Sequence, residues 1–297
     1  MKNAFIKLHI AILLAGFTGV FGRLITLNES LLTWYRLLFS GLILLTILAL
    51  SGKLTKIPFK HKLNIALAGT LLGVHWIFFY GSIKYSNISV GVVCFSLCSF
   101  FTAILAPMIN RTKFSIQELV LSSLTLVGIS LIFGLDATYR TGIILGFVSA
   151  ILVALFTIYN ERLTKKFDSQ TITLYEMLGG CLGLTFILPI YLFFSPVEQY
   201  LPSAADLGWL IVLSLVCTVL MYLLLTQALR KISSFTVNLS FNLEPLYSII
   251  LAIIIYKENR SLSTAFYVGL SLIILSLALQ MYRVIRAEKH KTKASAI

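Results

Sequence analysis

The chain has 297 residues, of which 58% are hydrophobic and only 12% charged, with a formal net charge of +13. Charged residues make up about a quarter of an ordinary soluble domain, so this composition excludes a water-soluble globular fold. The basic residues lie between apolar runs, where they act as topology signals, and this leaves nucleic-acid binding without support.

Apolar runs of about 20 residues, the length that crosses a bilayer core, predict an all-α membrane protein of ten transmembrane helices. The expected spans are 5–25, 30–50, 63–83, 88–109, 115–134, 142–160, 170–194, 206–229, 234–256 and 262–282. The N-terminal Met1-Lys-Asn-Ala-Phe-Ile-Lys7 has the basic start of a signal peptide. No small-x-small cleavage pattern precedes Arg23, so a retained first span is expected. Connections are short, so neighbouring spans run antiparallel and no soluble domain fits between them. Cys94, Cys98, Cys181 and Cys217 all fall in apolar runs without CxxC or metal-ligand spacing, so no disulfide, metal or cofactor is expected.

Orientation follows from the basic residues of alternate loops. One set of loops and termini holds 18 Lys and Arg, and the other holds four (Lys84, Arg140, Lys257 and Arg260). Both termini are therefore expected in the cytoplasm of a bacterial inner-membrane protein, with 283–297 as a basic tail.

The two halves resemble each other. A shift of 146 residues lays Lys84 on Arg230, Phe95 on Phe241 and Ile104-Leu-Ala106 on Ile250-Leu-Ala252. A shift of 140 lays Leu32-Thr-Trp-Tyr-Arg36 on Ile172-Thr-Leu-Tyr-Glu176. Five spans is an odd number, so the second copy inserts upside down relative to the first. Inverted-topology repeats mark transporters whose site lies near midplane between the repeats. The expected units are 5–134, 142–282 and the tail.

The ninth span interrupts its apolar run with Asn238-Leu-Ser-Phe-Asn242-Leu-Glu244-Pro245. Pro245 has no N–H to donate, so the carbonyl of Phe241 loses its helical partner. Such groups are costly against lipid, so this face must meet protein or a watered cavity. Asn238, Phe241 and Asn242 become candidate substrate contacts; the structural alternative is that the amides only tie helices together. Glu244 is deep enough in its span to be a candidate for carrying a proton during transport. Arg36 and Glu176, at equivalent places in the second and seventh spans, either pair across the repeats or snorkel to opposite surfaces. Arg23, nearer a span end, reads as an anchor. His75 is the one histidine within a span and heads His75-Trp-Ile-Phe-Phe-Tyr80. There His75 pairs with Phe79 and Trp76 with Tyr80 at i, i+4. Gly69/Gly73, Gly142/Gly146 and Gly179/Gly183 are small-xxx-small pairs suited to close helix approach.

Taken together, Arg36, the Tyr80-Gly-Ser-Ile-Lys-Tyr85 end of the third span, Glu244-Pro245 and Tyr256-Lys-Glu258 resemble EamA-type members of the drug/metabolite transporter superfamily. That resemblance implies ten helices with pseudo-twofold inverted symmetry around a central cavity lined by spans 1, 3, 4, 6, 8 and 9. It would turn His75, Trp76, Phe79 and Tyr80 toward a substrate, with Arg36, Glu176 and Glu244 in coupling or gating. The first repeat departs from the pattern: Cys98-Ser99 stands where the second has Glu-Pro, and Thr112 where it has Glu258. Its fourth span is therefore not required to carry a matching polar kink.

The leading expectation is a monomeric exporter of small metabolites such as amino acids, driven by proton exchange or by the solute gradient. No GxxxxGK[ST] loop occurs, so direct ATP use lacks support. A phosphorylated sugar would need more cavity cations than Arg36. An intramembrane aspartyl protease would need aspartates inside spans, but Asp136, Asp168 and Asp206 fall in loops or at edges. A sensor would need an output domain, for which the chain leaves no room.

Overall fold

The computed structural model describes residues 2–135, 139–260, 262–264, 266–276, 278–279 and 282. The expected basic tail 283–297, Asp136 and part of the tenth expected span lie outside the described residues. Eight helices among the described residues are long and apolar enough to cross a membrane: α1 (Asn3–Leu24), α2 (Glu29–Leu50), α3 (Phe59–Lys84), α4 (Ile88–Asn110), α6 (Arg140–Leu163), α7 (Ser169–Phe194), α8 (Ala204–Leu229) and α9 (Ser234–Tyr256). Two further apolar helices are α5 (Ile116–Leu135) and the shorter α10 (Phe266–Ser276). No strand occurs among the described residues.

Polar residues in the short loops start the helices. Asn28, Asn87 and Asp168 accept the Leu31, Val90 and Thr171 N–H groups at 2.9, 2.8 and 2.9 Å. Ser203 and Asp206 form a reciprocal capping box at the start of α8. Each cap satisfies an N–H that the first helical turn leaves free. On its outer face α7 shows Leu182, Phe186, Ile190 and Phe193, each at least 64% exposed. Spaced three and four apart, they form the stripe that a membrane helix turns to lipid.

Helix α3 is the central packing element, lying along both α6 and α7, while α2 packs on α7 and α1 on α8. The fourth helix of each half is broken at the same level. In α4 the first piece ends at Phe95 and the second begins at Cys98; in α9 the first ends at Phe241 and the second begins at Glu244. Both breaks obey the 146-residue offset. So do the residues that end the two helices, Arg111 (φ 53°) and Lys257 (φ 56°), both left-handed. Pro245 accounts for the break in α9, where it occupies the first turn of the second piece. In α4 no proline marks it, yet the kink that the sequence did not require is present. The two breaks hold each other in place. Asn238 Nδ2 donates to Thr102 Oγ1 at 2.7 Å, and Asn242 Nδ2 to Ser99 Oγ at 3.1 Å.

Candidate functional site

Between these helices lies a cavity of about 40 Å³ whose sixteen lining residues are all buried. About 10–15 Å³ accommodates one water, so this is space for a few waters and not for a metabolite. The structure is therefore closed around its cavity. Ala15 and Thr18 come from α1, His75, Trp76 and Phe79 from α3, and Phe95 from α4. Phe156 and Thr157 come from α6, Tyr222 from α8, and Asn238, Phe241 and Glu244 from α9. One residue of α2, Arg36, completes the wall.

Arg36 is fully buried, and it neither snorkels nor meets Glu176. Its Nε donates to Thr218 Oγ1 at 2.8 Å, one terminal nitrogen to the Tyr80 hydroxyl at 2.8 Å and the other to the Cys217 carbonyl at 2.9 Å. The guanidinium carbon, Cζ, lies over the Trp76 ring, 3.7 Å from its centroid. These contacts explain why α8 is not a regular helix. Its residues Leu215–Leu220 form a π-helical segment, a wider turn that brings Cys217 and Thr218 to the arginine. A guanidinium has five N–H groups, and three are used, which leaves two for a ligand. Among the described residues no carboxylate lies within 4.0 Å of it.

The other expected residues fall into three groups. His75, Trp76, Phe79, Asn238, Phe241 and Glu244 reach the cavity. His75 Nδ1 sits 2.8 Å from the Ser149 hydroxyl, and its ring stacks on Phe79 as the spacing suggests. Tyr80 lies one layer out, fully buried behind Arg36, and Asn242 points at α4. Glu176 stands apart: it is fully buried on α7 and accepts from Asn160 Nδ2 at 2.9 Å. Thr218, Cys217, Asn160 and Phe95 were not singled out from the sequence. Only Asn160 left a signal, an amide at the end of an otherwise apolar run.

Carboxylates tie down helix starts at the two ends of the bundle. Glu258 accepts from Arg23 at 2.8 Å, from Ser89 Oγ at 2.7 Å and from the Ile88 and Ser89 N–H groups at the start of α4. Arg23 also lies over Tyr256 at 4.2 Å, so it ties the end of α1 to the end of α9 as well as lying near a span end. At the opposite end Glu161 accepts the Ser234 N–H at the start of α9, 3.0 Å away. Each carboxylate sits where a helix N-terminus favours negative charge.

A bundle of membrane-length helices around a buried cavity, with a mainly apolar wall into which Arg36 and Glu244 are set, suits a membrane transporter. The model of the EamA-like transporter family matches the chain twice, over residues 3–134 and 140–282, and the chain belongs to that family. An uncharacterized transporter of Haemophilus influenzae is 27% identical over 235 residues, 75% of this chain and 74% of that protein. The uncharacterized transporter YxxF of Bacillus subtilis is 23% identical over 290 residues, 95% of this chain and 90% of its own. A solved crystal structure superposes on 97% of this chain and 99% of its own with a TM-score of 0.69; at 15% identity it shows the fold alone.

Proposed function

We propose that this transporter exports amino acids and related zwitterionic metabolites across a bacterial inner membrane. In this reading it works as a monomer of ten spans in two inverted repeats, opening its central cavity alternately to each side. The observation that carries the substrate class is a guanidinium and a carboxyl set apart in one cavity wall. Arg36 and Glu244 line one cavity without bonding to each other, between aromatic walls. A substrate carboxylate would take the two spare guanidinium N–H groups, for which Arg is the preferred partner. Its ammonium would face Glu244, and Trp76, Phe79 and Phe241 would surround its side chain. With room for only a few waters, the cavity has to widen to admit such a solute, as alternating access requires.

Export is tested by growth under toxic loads. Cells expressing the protein should tolerate amino acids and their analogues and gain nothing against the matching decarboxylated amines or deaminated acids. Protection confined to purines, cationic drugs or sugar phosphates would overturn the zwitterion reading. Absence of any protection from well-inserted protein would overturn export.

A further inference from the structure

The fully buried pair of Glu176 on α7 and Asn160 on α6 is half made. Asn160 Nδ2 donates to Glu176 Oε1 at 2.9 Å, while Glu176 Oε2 and Asn160 Oδ1 are both buried and have no partner. Two acceptors left bare on the two sides of one hydrogen bond are costly, because a buried unsatisfied polar atom forfeits its hydration without return. A single proton removes both costs. Placed on Oε2, it turns that atom into a donor for the unpartnered amide oxygen of the same Asn160, so that the acid and amide can exchange two reciprocal hydrogen bonds. The hydroxyl of Thr173, three residues earlier on the same face of α7, is also buried and does not bond to Oε2.

The surroundings offer no alternative source of charge balance. Arg36 on α2 is engaged by Thr218, Tyr80 and Cys217. On α3, His75 is held by Ser149, Tyr80 by Arg36, and Lys62 lies over Tyr175. On α8, Tyr222 stacks on Trp76 and Phe156, and Cys217 is a buried thiol. At the end of α6, Glu161 binds the start of α9 and Arg162 binds Asn110. On α7 itself the titratable groups are Tyr175, Cys181 and Tyr191, the last donating to Glu29. Among the described residues only Asn160 bonds the Glu176 carboxyl.

We infer that Glu176 carries the proton coupled to transport, holding it in an acid–amide pair with Asn160 while the cavity is closed. Asn160 stands one turn beyond Phe156 and Thr157, which line the cavity, so a shift of α6 against α7 that opens the cavity also parts the pair. Once parted, the acid meets water, the Oε2–H bond breaks, the proton passes to water and Glu176 is left as a carboxylate. The pair lies in the half of the membrane that the basic-residue count assigns to the cytoplasm, so inward opening exchanges this proton with the cytoplasm. Glu244 is left free to face substrate. The coupling step rests on the transport reading above; the proton assignment does not.

Infrared difference spectra of the purified protein in proton and deuteron buffers test it without a substrate. At neutral pH the wild type should show the carbonyl stretch of a neutral carboxylic acid, Glu244→Gln should keep it, and in the Glu244→Gln background Glu176→Gln should abolish it. Asn160→Ala should shift that band, because the acid has lost its acceptor. A band that survives in the Glu176→Gln/Glu244→Gln double variant, or no band in Glu244→Gln, overturns the assignment. A band that disappears when sodium is added overturns it in favour of a bound cation. In liposomes loaded with a labelled neutral amino acid, Glu176→Gln should retain exchange but lose roughly tenfold of the accumulation driven by a pH gradient. Equal pH-driven accumulation by the variant overturns the coupling role. If no amino acid moves even with wild type while the infrared band behaves as stated, it is the substrate reading that fails.

Discussion

Two helix interfaces at equivalent places in the repeats are built in opposite ways. The first joins α3 to α7, and the second joins α8 to α2. At the 146-residue offset, Gly69 and Gly73 of α3 fall on Leu215 and Val219 of α8, inside the π-helical segment. Their partners are the equivalent residues Glu176 and Arg36. In the first interface backbone meets backbone: a Cβ added at Gly69 would stand 1.9 Å from the Glu176 carbonyl oxygen, and one at Gly180 would stand 2.6 Å from the Gly69 oxygen. In the second, polar bonds hold the helices. Ser214 Oγ donates to the Arg36 carbonyl at 3.2 Å, and the guanidinium binds Thr218 and Cys217. One repeat reaches close approach by removing side chains, the other by widening a turn to seat a cation. The glycine interface leaves its acid only half-bonded, whereas the π segment gives its arginine three fixed bonds. The same place in the fold thus holds a guanidinium with three bonds in one half and a half-bonded carboxyl, the proposed proton carrier, in the other.

The largest effect should come from closing the gap that the glycines leave. Gly69→Ala puts a methyl group into backbone that has no rotamer to yield, and overpacking of this kind costs about 3 kcal/mol. Thermal unfolding in detergent should show a severe loss, whereas Gly208→Ala, with nothing within 4 Å, should show none. If Gly69→Ala unfolds like wild type, the two interfaces are not opposites.

The sequence showed these parts separately and not their meeting. Apolar runs and loop residues located the membrane-length helices, because length and hydropathy are local properties. The i, i+4 spacing showed that His75 and Phe79 share a face. That Arg36 lies on Trp76 depends on how α2 packs on α3, which no spacing within one helix encodes. The π segment has no sequence signature, since Leu215–Leu220 is as apolar as its neighbours. The break in α4 was hidden for a related reason: without a proline it is held by Asn238 and Asn242, which lie about 140 residues away in the chain. Glu176 was visible as a buried charge and Asn160 as an amide ending an apolar run, but not their pairing, because two helices had to be brought together first.

Arg36→Lys sharpens the comparison from the polar side. Lysine keeps the charge, but its compact ammonium cannot reach Thr218, Tyr80 and the Cys217 carbonyl together or lie flat on Trp76. Losing two charge-assisted bonds should cost about 3 kcal/mol and lower transport roughly tenfold or more. Flux measured beside Glu176→Gln separates the roles: the arginine variant should fail in exchange as well as in pH-driven movement. Exchange preserved in Arg36→Lys would mean that charge alone suffices and that the fork geometry set by the π segment is dispensable.

Thr218→Val tests what holds that segment, with the smallest expected effect. Valine keeps the shape of threonine and removes one oxygen, which accepts from Arg36 Nε and donates to the Leu213 carbonyl five residues earlier, 2.9 Å away. Arg36 keeps its bonds to Tyr80 and Cys217 and its place on Trp76. If the wide turn is held mainly by backbone and by the Cys217 carbonyl, the cost is one hydrogen bond to a charged group, about 1.5 kcal/mol. For a chain of this size that corresponds to a fall in melting temperature of about 2–3 °C. Transport should then be reduced but present, well above that of Arg36→Lys. A loss as deep as in Arg36→Lys would instead mean that the threonine bridge sets the turn. The second interface would then depend on one side chain, where the first depends on glycines spread over two helices.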